Sequence, residues 1–195
     1  MTALLSVQPT SDDVQKSLRR FRNYAEDLQN SDGINLRDRL VRFVGFGKDD
    51  LIFSPLRKQL VSNPRVNIKQ WLKDEFPPGR GWLGKGFQPN VPSDDEDRLS
   101  LSYQLLEWVS ESSNSQLTAL LEMWFGGKND MDRCVHAFSN AVMRPLFRDL
   151  NDRLQEIERR LPDNGSELVN PAVHFEFHDT KNVQIGDFNR QDNRE

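Results

Sequence analysis

Apolar residues recur at intervals of three and four along most of the chain, which is the period of an amphipathic α-helix. A first helix is predicted from Ser11, a good N-cap residue that two aspartates follow. A second ends near Gly45 and Gly47, and two shorter helices precede the proline pair at 77–78. The apolar positions of these four helices are Val14, Leu18, Phe21, Ala25 and Leu28; Leu36, Leu40, Phe43 and Val44; Leu51, Ile52, Leu56 and Leu60; and Val66, Ile68, Trp71 and Leu72.

Residues 77–93 interrupt this pattern with four prolines and four glycines, which predicts a long loop. A strongly capped helix is predicted to begin at Ser93, because three acidic residues follow it. Another helix runs through Leu117, Leu120, Leu121 and Trp124. The last and longest is predicted from Asp130 to about Leu161, with a bend at Pro145.

The second half of this last helix carries a leucine seam flanked by charges. Two interpretations stay open. The seam is compatible with a short coiled coil between two chains, and equally with packing against other helices of its own chain, since only two heptads are present.

After residue 162 the pattern changes from helical to alternating. In the stretch from Val173 to His178 apolar and polar residues take turns, as in a strand with one buried face, and a second short run follows at 182–186. The prediction is therefore a mainly α-helical bundle with a short β-forming tail. The predicted divisions are an extension at 1–10, a helical domain at 11–161, a linker at 162–172 and the tail at 173–191.

The composition of the chain argues against several classes of protein. The chain has 195 residues and one cysteine, Cys134, so it cannot form an intrachain disulfide. No apolar run is long enough to span a membrane, and the first residues do not resemble a signal peptide, so a cytoplasmic protein is expected. No Ser-His-Asp, Cys-His or paired-carboxylate pattern is evident, and we expect no enzyme activity and no cofactor.

Two groups of side chains could carry chemistry in principle. His174, Glu176 and His178 alternate along one strand face and could bind a divalent metal, but a plain polar strand face explains them more simply, so no metal site is predicted. The loop from Gly79 to Gly86 has P-loop spacing, but it lacks the Ser or Thr that would hold magnesium and no strand precedes it.

Charge is unevenly distributed. Residues 51–90 carry seven Lys or Arg against two acids, whereas residues 91–195 carry eleven against twenty. The basic region 57–85 could bind a nucleic acid or another anion, or it could attract the acidic part of the same chain. Arg80, Trp82 and Lys85 are the candidate partner-binding or anion-binding residues in the glycine-rich loop.

The most specific motif lies near the C-terminal end, Asn182-Val183-Gln184-Ile185-Gly186-Asp187-Phe188-Asn189-Arg190-Gln191. It resembles the V/I-Q-I/V-G-x-x-N core of the RHIM, an amyloid-forming interaction motif. It is also similar to the N-V-Q-x-G-x-x-N-x-Q tails of fungal and bacterial immune signalling proteins. The chain departs from these motifs in its charged residues and in Gln191, which replaces a hydrophobic residue of the animal motif.

This resemblance implies self-assembly through Val183, Gln184, Ile185, Gly186 and Asn189, with the attached domain gathered by stacking of the tails. The residue chemistry agrees, because Val183 and Ile185 suit a dry zipper while Gln184 and Asn189 suit amide ladders. The helical body, especially residues 133–161, is in turn similar to uncharacterised bacterial helical proteins with such tails, and this resemblance implies a role in a stress or antiphage system.

The sequence therefore favours a non-enzymatic adaptor or effector-associated protein of a bacterial defence or signalling system. Its partners would be itself and possibly another protein with a matching motif. Two alternatives remain for the tail, an ordinary docked hairpin and a strand swapped in a dimer. The alternative function is a nucleic-acid or anion-binding module that uses the basic region 57–85, with the tail only making it oligomeric.

Overall fold

The computed structural model describes residues 9–77, 88–125 and 130–161, and all regular structure in these ranges is helical. This confirms the predicted mainly α-helical bundle. The predicted β-forming tail at 173–191 and most of the loop at 77–93 lie outside the described residues. The α-helices are α1 (Ser11–Gln29), α2 (Leu36–Asp49), α3 (Phe53–Val61), α4 (Ile68–Glu75), α5 (Asp95–Glu111), α6 (Asn114–Phe125), α7 (Met131–Phe138) and α8 (Arg144–Arg160).

Helix α5 is the central element of the bundle, and it packs against α2, α3, α4 and α8. Its apolar residues are therefore buried on more than one face, unlike those of a surface helix. Helix α1 packs against both α2 and α8, and α6 packs against α7. None of the described helices is long and apolar enough to cross a membrane.

Two helices are capped one residue from the predicted position. Helix α1 is capped by Thr10 rather than Ser11: the backbone N–H of Asp13 donates to Thr10 Oγ1 (3.2 Å), and that of Thr10 donates to the Asp13 carboxylate (2.9 Å). This is a capping box. Helix α5 is capped by Asp94 rather than Ser93, with the N–H groups of Glu96 and Asp97 on its carboxylate.

The prediction that α2 ends at its two glycines is wrong, because the helix continues to Asp49. A Cβ on Gly47 would collide with the Tyr103 phenol oxygen and press on the Phe53 ring. Gly47 is thus a packing residue, which lets two large rings approach the backbone of α2, and not a helix stop.

Five aromatic rings from five helices meet at the centre of the bundle. Phe43 of α2 lies 5.2 Å from Phe147 of α8 and 6.2 Å from both Phe21 of α1 and Tyr103 of α5, between ring centroids. Phe53 of α3 stacks on Phe21 at 5.6 Å. Every one of these side chains is buried. This set of rings, the aromatic hub, joins α1, α2, α3, α5 and α8.

The long last helix contains a π-helical turn, Ser139–Met143, between α7 and α8. The backbone N–H of Arg144 donates to the carbonyl of Ser139, five residues earlier. A proline cannot make the usual bond to the residue four positions before it, and its ring crowds that carbonyl. The wider turn just before Pro145 relieves this conflict, and it stands where a bend was predicted.

The leucine seam of this helix packs inside its own chain. Leu150 and Leu154 are 0% exposed and belong to the hydrophobic core, Ile157 and Leu161 are partly buried and pack against it, and α8 packs against α1. Of the two interpretations, the intrachain one is therefore correct for Leu150 and Leu154. They are not available to form a coiled coil with a second chain.

Buried polar groups fix how the helices connect. The Asp50 carboxylate is 7% exposed and accepts hydrogen bonds from Ser17 Oγ (2.6 Å) and from the N–H groups of Ile52 and Phe53 (3.0 Å each). Arg20 pairs with its second oxygen at 3.3 Å. Because a buried carboxylate is stable only when its oxygens are satisfied, this arrangement ties α1 to the start of α3.

The two glycines of α2 provide a matched pair of substitutions. Gly47→Ala should lower the free energy of unfolding by about 1–3 kcal/mol, because the new methyl group meets rings that cannot move without disturbing the hub. Gly45→Ala places its Cβ in open space in the same helix, so it should be neutral or stabilising by up to about 1 kcal/mol. Urea unfolding followed by circular dichroism measures both values. Equal effects of the two substitutions would contradict the packing role of Gly47.

Candidate functional site

The residues predicted from sequence to carry function lie outside the part of the chain that the structure describes. This holds for Arg80, Trp82 and Lys85 of the loop, and for the tail residues Val183, Gln184, Ile185, Gly186 and Asn189. Those assignments stay predictions.

Described residues line a groove of about 260 Å³ where α4, α5, α6, the π turn and α8 meet. Two tryptophans, Trp71 of α4 and Trp124 of α6, stand on its wall. The floor is apolar and consists of Leu99, Leu101, Leu105, Val142 and Leu146. We call this feature the tryptophan groove.

The tryptophans are held in place by aromatic packing. Their ring centroids lie 5.9 Å apart, and Phe76 contacts both rings, at 5.6 Å from Trp71 and 5.8 Å from Trp124. Trp124 also stacks on Phe125 at 5.1 Å. Both tryptophans are only partly buried, so this wall of the groove offers ring surface to a ligand.

Hydrogen bonds set the position of Trp71 and of the helix that carries it. The indole Nε1–H donates to the carbonyl of Asn90 at 2.6 Å, and the N–H of Asn90 donates to Glu75 at 3.0 Å. At the start of α4, the N–H of Ile68 donates to the buried Gln104 of α5. The groove wall is therefore fixed at both ends of α4 before any ligand arrives.

Charged side chains stand on the rim. Arg98 and Arg148 are 40% and 70% exposed, and Asp149 lies beside them. Arg98 pairs with Asp95 at 2.5 Å, and Arg148 uses its Nε–H to pair with Asp149 at 3.1 Å. Each rim arginine is thus paired with an aspartate, and these two ion pairs carry no net charge.

The basic region is partly neutralised by the acidic helix α5. Arg57 donates to Glu107 at 2.6 Å with both side chains mostly buried, and Arg65 lies 3.1 Å from Asp97 and 3.7 Å from Asp94. Lys58, Lys69 and Lys73 are exposed and form no ion pair within the described ranges. For Arg57 and Arg65, the sequence interpretation of attraction within the chain is confirmed.

Tyr103 is an ionisable group whose pKa is strongly shifted in the folded protein. Its side chain is buried, and the hydroxyl has no hydrogen-bond partner of good geometry among the described residues, although the Arg57 guanidinium lies near it. Burial raises the pKa of Tyr103 well above its usual range, the charge of Glu107 raises it further, and Arg57 opposes this only in part. A phenol that stays neutral and closed off from solvent is a structural group and not a nucleophile.

In the described part of the chain, no three His, Cys, Asp or Glu side chains come together as possible metal ligands. His136 is exposed on α7, and Cys134 is buried in the core. The alternating residues His174, Glu176 and His178 lie outside the described ranges.

Sequence reasoning missed the groove although it named several of its residues as core positions. Trp71 and Trp124 fall on the apolar stripes of their helices, and Arg98 and Arg148 look like ordinary surface charges. The available signal was one tryptophan on each of two predicted helices, but the contact of α4 with α6 through these rings is tertiary and periodicity does not specify it.

No family model, no curated protein and no solved structure was found to match this chain.

The burial of Tyr103 predicts a particular dependence of stability on pH. In the unfolded chain its pKa is about 10, and in the folded protein it is higher, so its contribution to stability is complete below about pH 10 and is lost as the pH rises above that value. Tyr103→Phe removes this loss. It also removes an unpartnered hydroxyl, so near neutral pH it should change the free energy of unfolding by less than about 1 kcal/mol.

Urea unfolding of both proteins at about pH 7, 9 and 11 tests this prediction. The wild type should lose stability relative to Tyr103→Phe only in the most alkaline sample. Parallel curves for the two proteins over the whole range would show that the phenol titrates normally.

Proposed function

We propose that this chain is a non-enzymatic adaptor of a bacterial defence or signalling system, which assembles through its RHIM-like tail and binds a protein partner with its helical body. The observation that carries the assembly part is the motif at 182–191, whose apolar and amide residues suit stacked strands. The observation that supports partner binding is the tryptophan groove.

The packing of α8 supports assignment of assembly to the tail. The chain offered two candidate segments for self-association, the leucine seam and the tail. In the seam, Leu150 and Leu154 are buried in the hydrophobic core of their own chain, and Ile157 and Leu161 pack against that core. This packing favours the tail as the assembly segment.

The alternative function, binding of nucleic acid through residues 57–85, draws no new support from the described residues. Two of its cations, Arg57 and Arg65, already pair with acids of α5, which lowers the positive potential they present to a phosphate backbone. Exposed Lys58, Lys69 and Lys73 and the undescribed Arg80 and Lys85 would have to supply the charge.

The assembly proposal predicts that the full chain forms thioflavin-positive fibres and that a version ending at Asn170 does not. Gln184→Ala combined with Gly186→Ala should also abolish fibres, because it removes an amide ladder and the turn between the two arms of the motif. Arg80→Ala combined with Lys85→Ala is the matched control and should leave fibre formation unchanged. Light scattering coupled to size-exclusion chromatography, with thioflavin fluorescence, reads out each variant.

A finite dimer without thioflavin fluorescence that becomes a monomer on truncation would indicate an exchanged strand instead, and would contradict amyloid-type assembly. The same oligomeric state and the same thioflavin fluorescence for the full and shortened chains would show that the tail has no role in assembly. Binding of an oligonucleotide with steep salt dependence would favour the nucleic-acid alternative over the adaptor, provided that Arg80→Ala combined with Lys85→Ala abolishes this binding.

A further inference from the structure

We propose that the solvent-facing side of α2 pairs with the same surface of a second copy of this chain, with the two helices antiparallel about a two-fold axis. This surface, the α2 face, consists of Ile34 and Val41, with Gly45 one turn further on and Asp38 and Arg42 along one side. The inference goes beyond the proposed function, because it requires neither the tail motif nor fibres.

Exposed large apolar side chains are concentrated around this helix. Four such side chains are exposed in the described residues, and three of them lie before, on or after α2: Ile34 is 94% exposed, Val41 48% and Leu51 61%. Ile34 and Val41 are seven positions apart, which is about two helical turns and places them on one face. Apolar residues that are aligned in this way, and not scattered, are typical of a surface that another protein covers.

The turn that carries Ile34 is ordered by hydrogen bonds. Oδ1 of Asp32 accepts from the N–H groups of Ile34 and Asn35 at 2.9 Å each, and the N–H of Gly33 donates to Asp132 of α7 at 2.8 Å. A fixed backbone therefore holds the Ile34 side chain in solvent. Little conformational entropy remains to be lost at this turn when a second protein covers it.

The surface next to Val41 leaves room for a close neighbour. A Cβ added to Gly45, one turn after Val41, would meet no atom within 4 Å. In an antiparallel pair centred near residue 40, Ile34 of each chain lies opposite Gly45 of the other, and the two Val41 side chains meet near the axis. A large side chain then covers a stretch of helix that has none, as in the packing of ridges into grooves.

Asp38 and Arg42 determine the direction of the pairing. Both are exposed, and neither forms an ion pair or a side-chain hydrogen bond with the other or with any other described residue. In a parallel pair each would face its own copy, and the like charges would repel. In the antiparallel two-fold pair Asp38 of each chain faces Arg42 of the other, so the contact contains two ion pairs.

The charges around the α2 face balance, so a partner with charge of a single sign is not favoured. Helix α2 contains four cations and two acids. Two more acids lie beside these cations: Glu111 is 3.7 Å from Lys48, and Asp32 has a pKa that the N–H of Asn35 lowers most and the charge of Arg39 lowers further. The four cations and four acids carry no net charge. A nucleic acid would therefore gain little here, whereas an identical face is complementary.

The contact is small, and the association should be weak. Helix α2 has 14 residues and a length of about 21 Å. Interfaces below about 1,200 Å² are typical of weak or transient complexes, so we expect a dissociation constant between about 10 µM and 1 mM. Chains held together by another segment experience effective concentrations in the millimolar range, at which the α2 face would pair neighbouring helical bodies.

Sedimentation equilibrium of the full chain tests the proposal. The protein carries Gln184→Ala and Gly186→Ala, which remove the contribution of the tail motif, and it should form dimers with a dissociation constant in the stated range. Adding either Asp38→Arg or Arg42→Asp should weaken dimerisation by at least about tenfold, because like charges then face each other across the two-fold axis.

Two rescue experiments are specific to the antiparallel arrangement. An equimolar mixture of the Asp38→Arg and Arg42→Asp chains restores opposite charges at both contacts, and so does one chain that carries both substitutions. Each should dimerise within about threefold of the dissociation constant of the chain without them. Arg144→Asp is the matched control: it makes the same charge change as Arg42→Asp at an exposed position of α8, and should alter dimerisation by less than about twofold.

A second pair of variants tests the apolar contact without altering charge. Ile34→Ser combined with Val41→Ser should weaken dimerisation by at least about tenfold. Leu51→Ser combined with Val91→Ser is the control, because it removes two similar exposed side chains that lie outside the α2 face, and it should change the dissociation constant by less than about twofold. All four positions are exposed, and circular dichroism checks that the variants remain folded.

The proposal is overturned if the chain stays monomeric up to about 1 mM, if neither charge reversal weakens the dimer, or if the mixture of the two variants does not restore it. In a chain with an unaltered tail, Asp38→Arg should leave thioflavin-positive fibres unchanged. Fibres that persist despite Gln184→Ala and Gly186→Ala would contradict the tail proposal alone, and the α2 variants are then compared in the soluble fraction. Failure at α2 is therefore distinguishable from failure of tail-driven assembly.

Discussion

The aromatic hub is the contact on which the arrangement of the other helices depends. Phe43 lies within 6.2 Å of rings from α1, α3, α5 and α8, so five helices converge on one side chain. Ring pairs of this kind contribute about 0.5–1.5 kcal/mol each beyond the area they bury, and the edge-to-face contacts of Phe43 with Phe53 and Phe147 fix orientation as well as distance. Gly47 is the condition for this packing, because only a residue without a side chain lets Tyr103 and Phe53 come so close to α2.

The tryptophan groove exists because of how α5 packs. A helix surrounded by α2, α3, α4 and α8 has little surface left for solvent, yet Leu101 faces the tryptophan groove instead of joining the main hydrophobic core. The groove remains because α4 and α6 meet through Trp71 and Trp124 at one side of α5, while the π turn and Pro145 shape the other. The helix that completes the core is thus also the floor of the candidate binding site.

Periodicity predicted the helices well and their ends less well. The stripe from Val14 to Leu28 defines α1 because each apolar residue lies on one face and all are buried. The prediction failed at Gly47, since a glycine that ends a helix and a glycine that admits a neighbouring ring look alike in sequence. It was also one residue off at Thr10 and Asp94, where Thr10–Ser11 and Ser93–Asp94 each offer two adjacent residues that suit a cap.

Sequence and structure address different halves of the proposed function. The tail motif is visible in sequence because its chemistry is local: Val183, Ile185 and the neighbouring amides suffice to suggest stacking without any fold. The groove is invisible in sequence because Arg98, Trp71 and Trp124 come together only through tertiary packing. The ion pairs are a second example of contacts that the sequence does not reveal. Arg57 and Arg65 make the stretch look basic in sequence, but in the fold they pair with Glu107 and Asp97. A linear count of charges therefore overstates the positive potential of this region, whereas the groove places two arginines from distant segments on one rim.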